Sequence, residues 1–274
     1  MSKILNSYKP KQVMEGAGVL VNRMFSHGET EEFDPFLMLD YFNYEEEVEL
    51  PGFPWHPHRG IETITYFLVG SGEHEDSIGN QGIIHADELQ WMSSGSGIYH
   101  QEMPIASKEG LKGFQFWLNM HAKYKMQKPD YQYIMRGEMQ SVKKDGTEVR
   151  IISGQYEGIR GPINKEGLGV TMLHVLVDGG KTITLKRGER RQGFIFVFEG
   201  SGKADGEKVE KVTAYTLAEG ELEIKADKGT KLEFIFAEGI PLKEPIAWNG
   251  PIVMNTHEEL VQAFKDLQEG TFIK

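Results

Sequence analysis

Apolar residues in this chain come in short runs, β-branched or aromatic, each closed by Gly, Asp or Asn. Clear examples lie at 18–22, 62–69, 148–153, 173–177, 193–198 and 231–237. Runs of this length ending at turn residues predict strands, and many of them at regular spacing predict an all-β sandwich or barrel. Helical periodicity is scarce. The one strong case is near the C-terminus, where Thr256 and Glu259 form a capping box. Leu260, Phe264 and Leu267 then make an apolar stripe, and Gly270 is the stop signal. A weaker pattern at 121–126 reads better as an amphipathic connector.

One pattern occurs twice. Tyr66-Phe67-Leu68-Val69-Gly70-Ser71-Gly72 is similar to Phe196-Val197-Phe198-Glu199-Gly200-Ser201-Gly202, 130 residues on. Both are apolar strands ending in Gly-Ser-Gly before a polar turn, so two copies of one β fold are expected. The expected division is a metal-binding domain at 1–135, a connecting segment at 136–165 and a second domain at 166–274 that carries the terminal helix.

Composition narrows the chemistry. There are 274 residues, 41 acidic against 30 basic, for a net charge of −11. An acidic chain without a dense Lys/Arg cluster is repelled by phosphate backbones, so direct nucleic-acid binding is not expected, whereas a basic protein partner is allowed. Cysteine is absent, which leaves His, Asp, Glu and backbone as metal donors. No apolar run approaches a membrane span, and residues 1–6 contain no apolar core of a secretory signal. A soluble, cytoplasmic monomer is the expectation.

Two short motifs carry the candidate chemistry: His56-Pro57-His58 and His100-Gln101-Glu102. Side chains at i and i+2 of a strand share a face, about 6–7 Å apart. Pro57 biases His56 toward extended geometry. Two such pairs brought together present three imidazoles and a carboxylate, a donor set for one divalent first-row transition metal with positions left for substrate. Glu62 is the rival carboxylate. It shares parity with His58, but four strand residues span about 13 Å, so reaching the same ion requires a turn at Gly60. Glu102 is therefore preferred as ligand. Glu62 either orients an imidazole from behind or is the alternative fourth ligand.

The other histidines carry less signal. His74 and His85 read as solvated or loop-anchoring, and His27, His121, His174 and His257 are isolated. Phe53, Trp55, Trp91, Met92, Met103 and Phe116 flank the motifs, and Phe53, Trp91, Met92 and Phe116 are the candidates for a substrate pocket. At the 130-residue offset, Lys186 and Gly188 stand for His56 and His58, and 230–233 stands for His100. The second copy is thus expected to hold no metal.

These motifs also carry a family resemblance. The stretches are His56-Pro57-His58-Arg59-Gly60-Ile61-Glu62-Thr63, His74-Glu75-Asp76-Ser77, Leu89-Gln90-Trp91-Met92 and Gly97-Ile98-Tyr99-His100-Gln101-Glu102-Met103-Pro104. Together with Asp34–Asp40, Phe114–Asn119, Pro129–Gln132 and Gly250–Thr256, they resemble the pirin family of the cupin superfamily over essentially the whole chain. Only Met120-His121, where many relatives have Leu-Pro, departs from the pattern.

The resemblance implies a bicupin: two jelly-roll barrels in tandem, the first metal-loaded and the second degenerate. It implies metal ligands at His56, His58, His100 and Glu102, with Fe(II) the expected ion and Mn, Co, Ni, Cu and Zn suited to the same donors. Bacterial members often show quercetin 2,3-dioxygenase activity, and animal members act as nuclear transcriptional co-regulators. The preferred reading is an enzyme using O2 on a flavonol-like aromatic substrate, with Glu102 taking the substrate hydroxyl proton. The alternative is a metal- or redox-dependent regulator acting through protein–protein binding, nuclear in an animal.

Overall fold

The structure, a computed structural model, describes residues 3–163, 165, 167 and 169–274. Nearly all regular structure is antiparallel sheet, and the described residues divide into two compact units.

The N-terminal barrel comprises residues 11–28, 36–136 and 242–274. Its larger sheet has seven strands in the order Asp130–Ile134, Leu89–Ser93, Ile61–Val69, Leu111–Asn119, Phe36–Tyr44, Val19–Phe25 and Lys11–Glu15. The strands Leu89–Ser93 and Ile61–Val69 are buried on both faces for most of their length, as their near-continuous apolar runs require. A four-stranded sheet runs in the order Phe53–His58, Ile98–Ile105, Ser71–Asp76 and Gln81–His85. This sheet alternates. On Ser71–Asp76, Gly72, His74 and Asp76 are buried, while Glu73 and Glu75 are exposed.

The C-terminal barrel repeats the plan. Its seven strands run Ile4–Tyr8, Thr213–Leu217, Gln192–Glu199, Leu232–Gly239, Val170–Val177, Thr147–Ser153 and Ser141–Lys144. Its four run Thr182–Arg187, Gly220–Ala226, Gly202–Ala204 and Glu207–Val209. The repeated Gly-Ser-Gly has a steric cause. Gly70 and Gly200 end matching strands with φ of 77° and 79°, and a Cβ at either would collide with a backbone carbonyl, of Ile105 or of Lys231.

The chain ends differ from the expected division. The strand Ile4–Tyr8 pairs with Thr213–Leu217 and so completes the C-terminal barrel's sheet. The helix His257–Gln268 belongs to the N-terminal barrel's unit, not the one that precedes it in sequence. Residues 141–153, expected in a connector, form two strands of the C-terminal barrel's sheet. The expected boundary at 165/166 falls partly outside the described residues. Pairing over long sequence separation decides where the chain ends go, and local patterning does not encode it, whereas 141–144 and 147–153 form a local hairpin whose second strand is the apolar run at 148–153.

The helix has the expected cap. Glu259 N donates to Thr256 Oγ1 at 3.2 Å, and Thr256 N donates to Glu259 Oε2 at 3.0 Å. Leu260 and Ala263 bury against Ile252, Met254 and Phe272. At 121–126 there is only a short 3-10 turn, Ala122–Tyr124.

Candidate metal centre

The strand Phe53–His58 pairs antiparallel with Ile98–Ile105, placing His100 opposite His56 and Ile98 opposite His58. Alternation turns His56, His58 and His100 to one side. Their ring centroids lie 4.3–4.9 Å apart, and one nitrogen from each ring falls within 4.8 Å of the other two.

The hydrogen bonds fix two of the tautomers. His56 Nδ1 is 2.9 Å from Pro54 O, and His58 Nδ1 is 3.0 Å from Pro251 O. A carbonyl oxygen only accepts, so both Nδ1 atoms carry the proton and both Nε2 atoms keep their lone pairs. Those two Nε2 atoms stand 3.1 Å apart. His100 is fully buried, and neither of its ring nitrogens has a hydrogen-bond partner among the described residues.

A proton on His58 or His100 does not relieve this arrangement. Burial and the neighbouring His56 push His58 down to about 3. Burial, reinforced by the surrounding imidazoles, holds His100 well below the usual histidine range. Lone pairs aimed at one another and a partnerless buried imidazole fit a shared cation. Two nitrogens each about 2.1 Å from one ion would lie roughly 3–3.4 Å apart, which the His56–His58 spacing matches.

Glu102 follows a register shift after His100 and pairs with His74 on the next strand. Its carboxylate accepts from Thr65 Oγ1 at 3.2 Å and from Gln115 Nε2 at 2.9 Å. One oxygen lies within 4.8 Å of both His74 and His100, so Glu102 belongs to a second grouping that shares His100 with the first. Glu62 is buried and accepts from Trp91 Nε1 at 3.1 Å. It joins neither grouping.

His74, read from sequence as solvated, is buried at the barrel interior. Its ring stacks on Tyr131 with centroids 5.0 Å apart. Its Nε2 lies 3.3 Å from Asp76 Oδ2, and its Nδ1 accepts from Gln90 Nε2 at 3.1 Å. Asp76 is buried, yet its carboxyl is held below the usual range by hydrogen bonds from His74, Asn80 and the backbone N–H groups of Asn80 and Ile78. The signal missed was parity: Glu73 and Glu75 face out, so His74 between them faces in.

A cavity of about 450 Å³ adjoins the imidazoles. Its walls include Arg23, His27, Met38, Asp40, Phe53, His56, His58, Glu102, Gln115, Trp117 and Trp248. Of the four expected pocket residues, only Phe53 is among them. Phe116 lies between Gln115 and Trp117, both of which line the cavity, so alternation turns it away. Trp91 pairs with Ile64, as Phe116 does, and is likewise buried off the cavity. Met92 is fully buried and does not reach the cavity.

Three wall features carried no sequence signal. His27 stacks on Trp248 at 3.6 Å. Arg23 holds the buried Asp40 in a two-pronged ion pair, Nε to Oδ1 at 2.8 Å and a terminal nitrogen to Oδ2 at 2.7 Å. Trp117 meets the His58 ring edge-on at 5.0 Å.

In the C-terminal barrel the strand matching Ile98–Ile105 by sheet order is Gly220–Ala226, so the expectation of 230–233 is shifted by shorter hairpins in the second copy. The buried positions on that strand are Leu222, Ile224 and Ala226, and on its partner Thr182–Arg187 they are Ile183 and Leu185, all part of one apolar core. Burying each Leu or Ile side chain is worth about 1.5–3 kcal/mol. The second barrel thus spends its interior on packing where the first assembles imidazoles.

Comparison with known proteins also finds two matched regions. Residues 18–118 match Pirin, and residues 172–273 match the Pirin C-terminal cupin domain. A pirin-like protein of Caulobacter vibrioides is 37% identical over 272 residues, covering 98% of each chain.

The chain belongs to the pirin family.

Among other pirin relatives, human pirin is 35% identical, with 97% of this chain and 92% of that protein covered. A Thermoplasma acidophilum protein provisionally named quercetin 2,3-dioxygenase is 38% identical over 242 residues, with 81% of this chain and 93% of that protein covered. The crystal structure of quercetin 2,3-dioxygenase from Acinetobacter baumannii is 30% identical and superposes with a TM-score of 0.90 over 100% of both chains. Among the described residues, no helix is long and apolar enough to cross a membrane.

Proposed function

We propose that this pirin is a metal-dependent dioxygenase that opens a flavonol-like aromatic ring. His56, His58 and His100 hold one divalent transition metal, with Fe(II) the expected ion. Glu102 acts beside them as fourth donor or as base for a substrate hydroxyl. When bound, the ion supplies Lewis acidity toward that hydroxyl and redox access to dioxygen.

The observation that carries the reading is the opening of the imidazole cluster into an aromatic-walled cavity that also contains Glu102. Its volume lies within the roughly 300–1,000 Å³ usual for small-molecule sites. Phe53, Trp117 and Trp248 offer flat apolar surface to an aromatic ring and exclude water from it. Thr65 and Gln115 hold Glu102 in orientation, and Glu102 takes the hydroxyl proton. The names of the Acinetobacter and Thermoplasma relatives favour the same substrate class. The net reaction is flavonol plus O2 giving a ring-opened phenolic ester plus carbon monoxide.

The test is oxygen-dependent loss of the flavonol absorption band, with carbon monoxide release, by protein reconstituted with Fe, Mn, Co, Ni or Cu. Turnover with at least one of them is expected. No turnover with any would sink the enzymatic reading and leave metal-dependent protein binding.

A further inference from the structure

His58, Arg59 and Gly60 are each held by the segment that closes the chain. Pro251 O accepts the His58 Nδ1 proton at 3.0 Å. Arg59 O accepts from Val253 N at 3.0 Å, and Arg59 bridges Ile252 in parallel. Gly60, at φ 78°, passes so close to the Val253 carbonyl that a Cβ would overlap it.

The Arg59 side chain is 2% exposed. Its guanidinium donates to Asp266 Oδ2 and Phe272 O at 2.8 Å each and to Ser96 O at 2.7 Å, and lies 4.2 Å from the centroid of the Phe272 ring. Burying a guanidinium and a carboxylate is costly unless they pair well, and removing one partner strands the other. Apolar packing of the helix alone would not require such a pair. This one joins the residue after His58 to the helix whose approach segment carries Pro251.

We propose that Asp266, through Arg59, is a positioning residue for the metal ligand His58. The ion pair docks the segment 250–254, and the Pro251 carbonyl then keeps the proton on Nδ1 and Nε2 turned to His56. With the segment withdrawn, the ring is free to rotate and to carry its proton on Nε2, where it competes with the ion. This rests on the reading of His56, His58 and His100 as ligands. Coupling is reciprocal: the ion favours the docked helix, and the docked helix favours the ion.

The experiment measures cobalt(II) affinity of the full chain by competition with a chromophoric chelator at 25 °C, together with hydrogen exchange of residues 257–268 with and without cobalt. Asp266→Asn is expected to weaken cobalt binding roughly tenfold or more, the scale seen when a ligand's orienting partner is lost. Cobalt is expected to slow exchange of the helix in the wild type, and less so in the variant. A purely structural role lowers the melting temperature and leaves the affinity of the folded variant unchanged; that result overturns the proposal. If Asp266→Asn does not fold, Phe272→Ala, which removes the ring beside the guanidinium, is read in the same way. A wild type that binds no cobalt overturns the ligand reading itself, and this proposal with it.

Discussion

The Nε2 atoms of His56 and His58 face each other at 3.1 Å, and each ring is pinned from behind by a backbone carbonyl, Pro54 for one and Pro251 for the other. Neither ring can turn its N–H inward without losing that bond. Two lone pairs at this separation repel unless a proton or a metal ion lies between them, and His100, whose ring nitrogens have no hydrogen-bond partner among the described residues, completes the same cluster. A shared metal ion would answer all three rings at once.

The depressed histidines make metal-free stability depend on pH. The unfolded chain takes up protons at both rings near pH 6.5, whereas folded His58 does so only near 3 and His100 far below its usual range. Stability from these rings is therefore complete above about 6.5 and is lost as pH falls. Well below that value, each ring contributes a slope of about 1.4 kcal/mol per pH unit. Urea unfolding of metal-free protein between pH 4.5 and 6 should show the slope reduced by roughly one proton in His100→Gln. Equal slopes for wild type and variant would contradict the assignment of a buried neutral imidazole at 100.

Gln115 holds both oxygens of Glu102, at 3.2 and 2.9 Å. Gln115→Leu keeps similar volume but leaves only Thr65 to orient the carboxylate. Turnover, or metal affinity where Glu102 ligates, should fall about 10–100-fold, with little change in melting temperature. An active variant with wild-type affinity would remove Glu102 from the chemistry.

Lys125 is buried, and its ammonium donates to Gly60 O and Asn119 Oδ1 at 2.7 Å and to Val253 O at 2.9 Å. Burial pushes its pKa down to about 7, although Glu244 and Glu259 oppose the shift. Lys125→Met strands three buried acceptors. A loss of about 3 kcal/mol in chemical denaturation is expected; a neutral effect would mean that these oxygens find other donors.

Much of the fold was legible because its strands are short apolar runs stopped by glycine, and Gly70 and Gly200 are stops that no other residue fits. The pairs His56/His58 and His100/Glu102 were legible because a period of two needs only a strand. The cavity walls were not. Gln115, Phe116 and Trp117 are adjacent in sequence, and only the sheet decides which of them face inward. His74 was hidden by the acidic residues that flank it on the opposite face. Trp248 and Pro251 reach the centre by returning to a barrel built mostly from residues before 137, and no local pattern encodes that return.

The most direct test of the central claim is the metal content of wild type and His100→Gln, each loaded with iron(II) under argon, passed through a desalting column and measured by elemental analysis. Of the three imidazoles, His100 is the one with no hydrogen bond among the described residues. One equivalent in the wild type and little in a variant with unchanged circular dichroism is the predicted result. Equal metal in both proteins, or none in the wild type, would contradict the account.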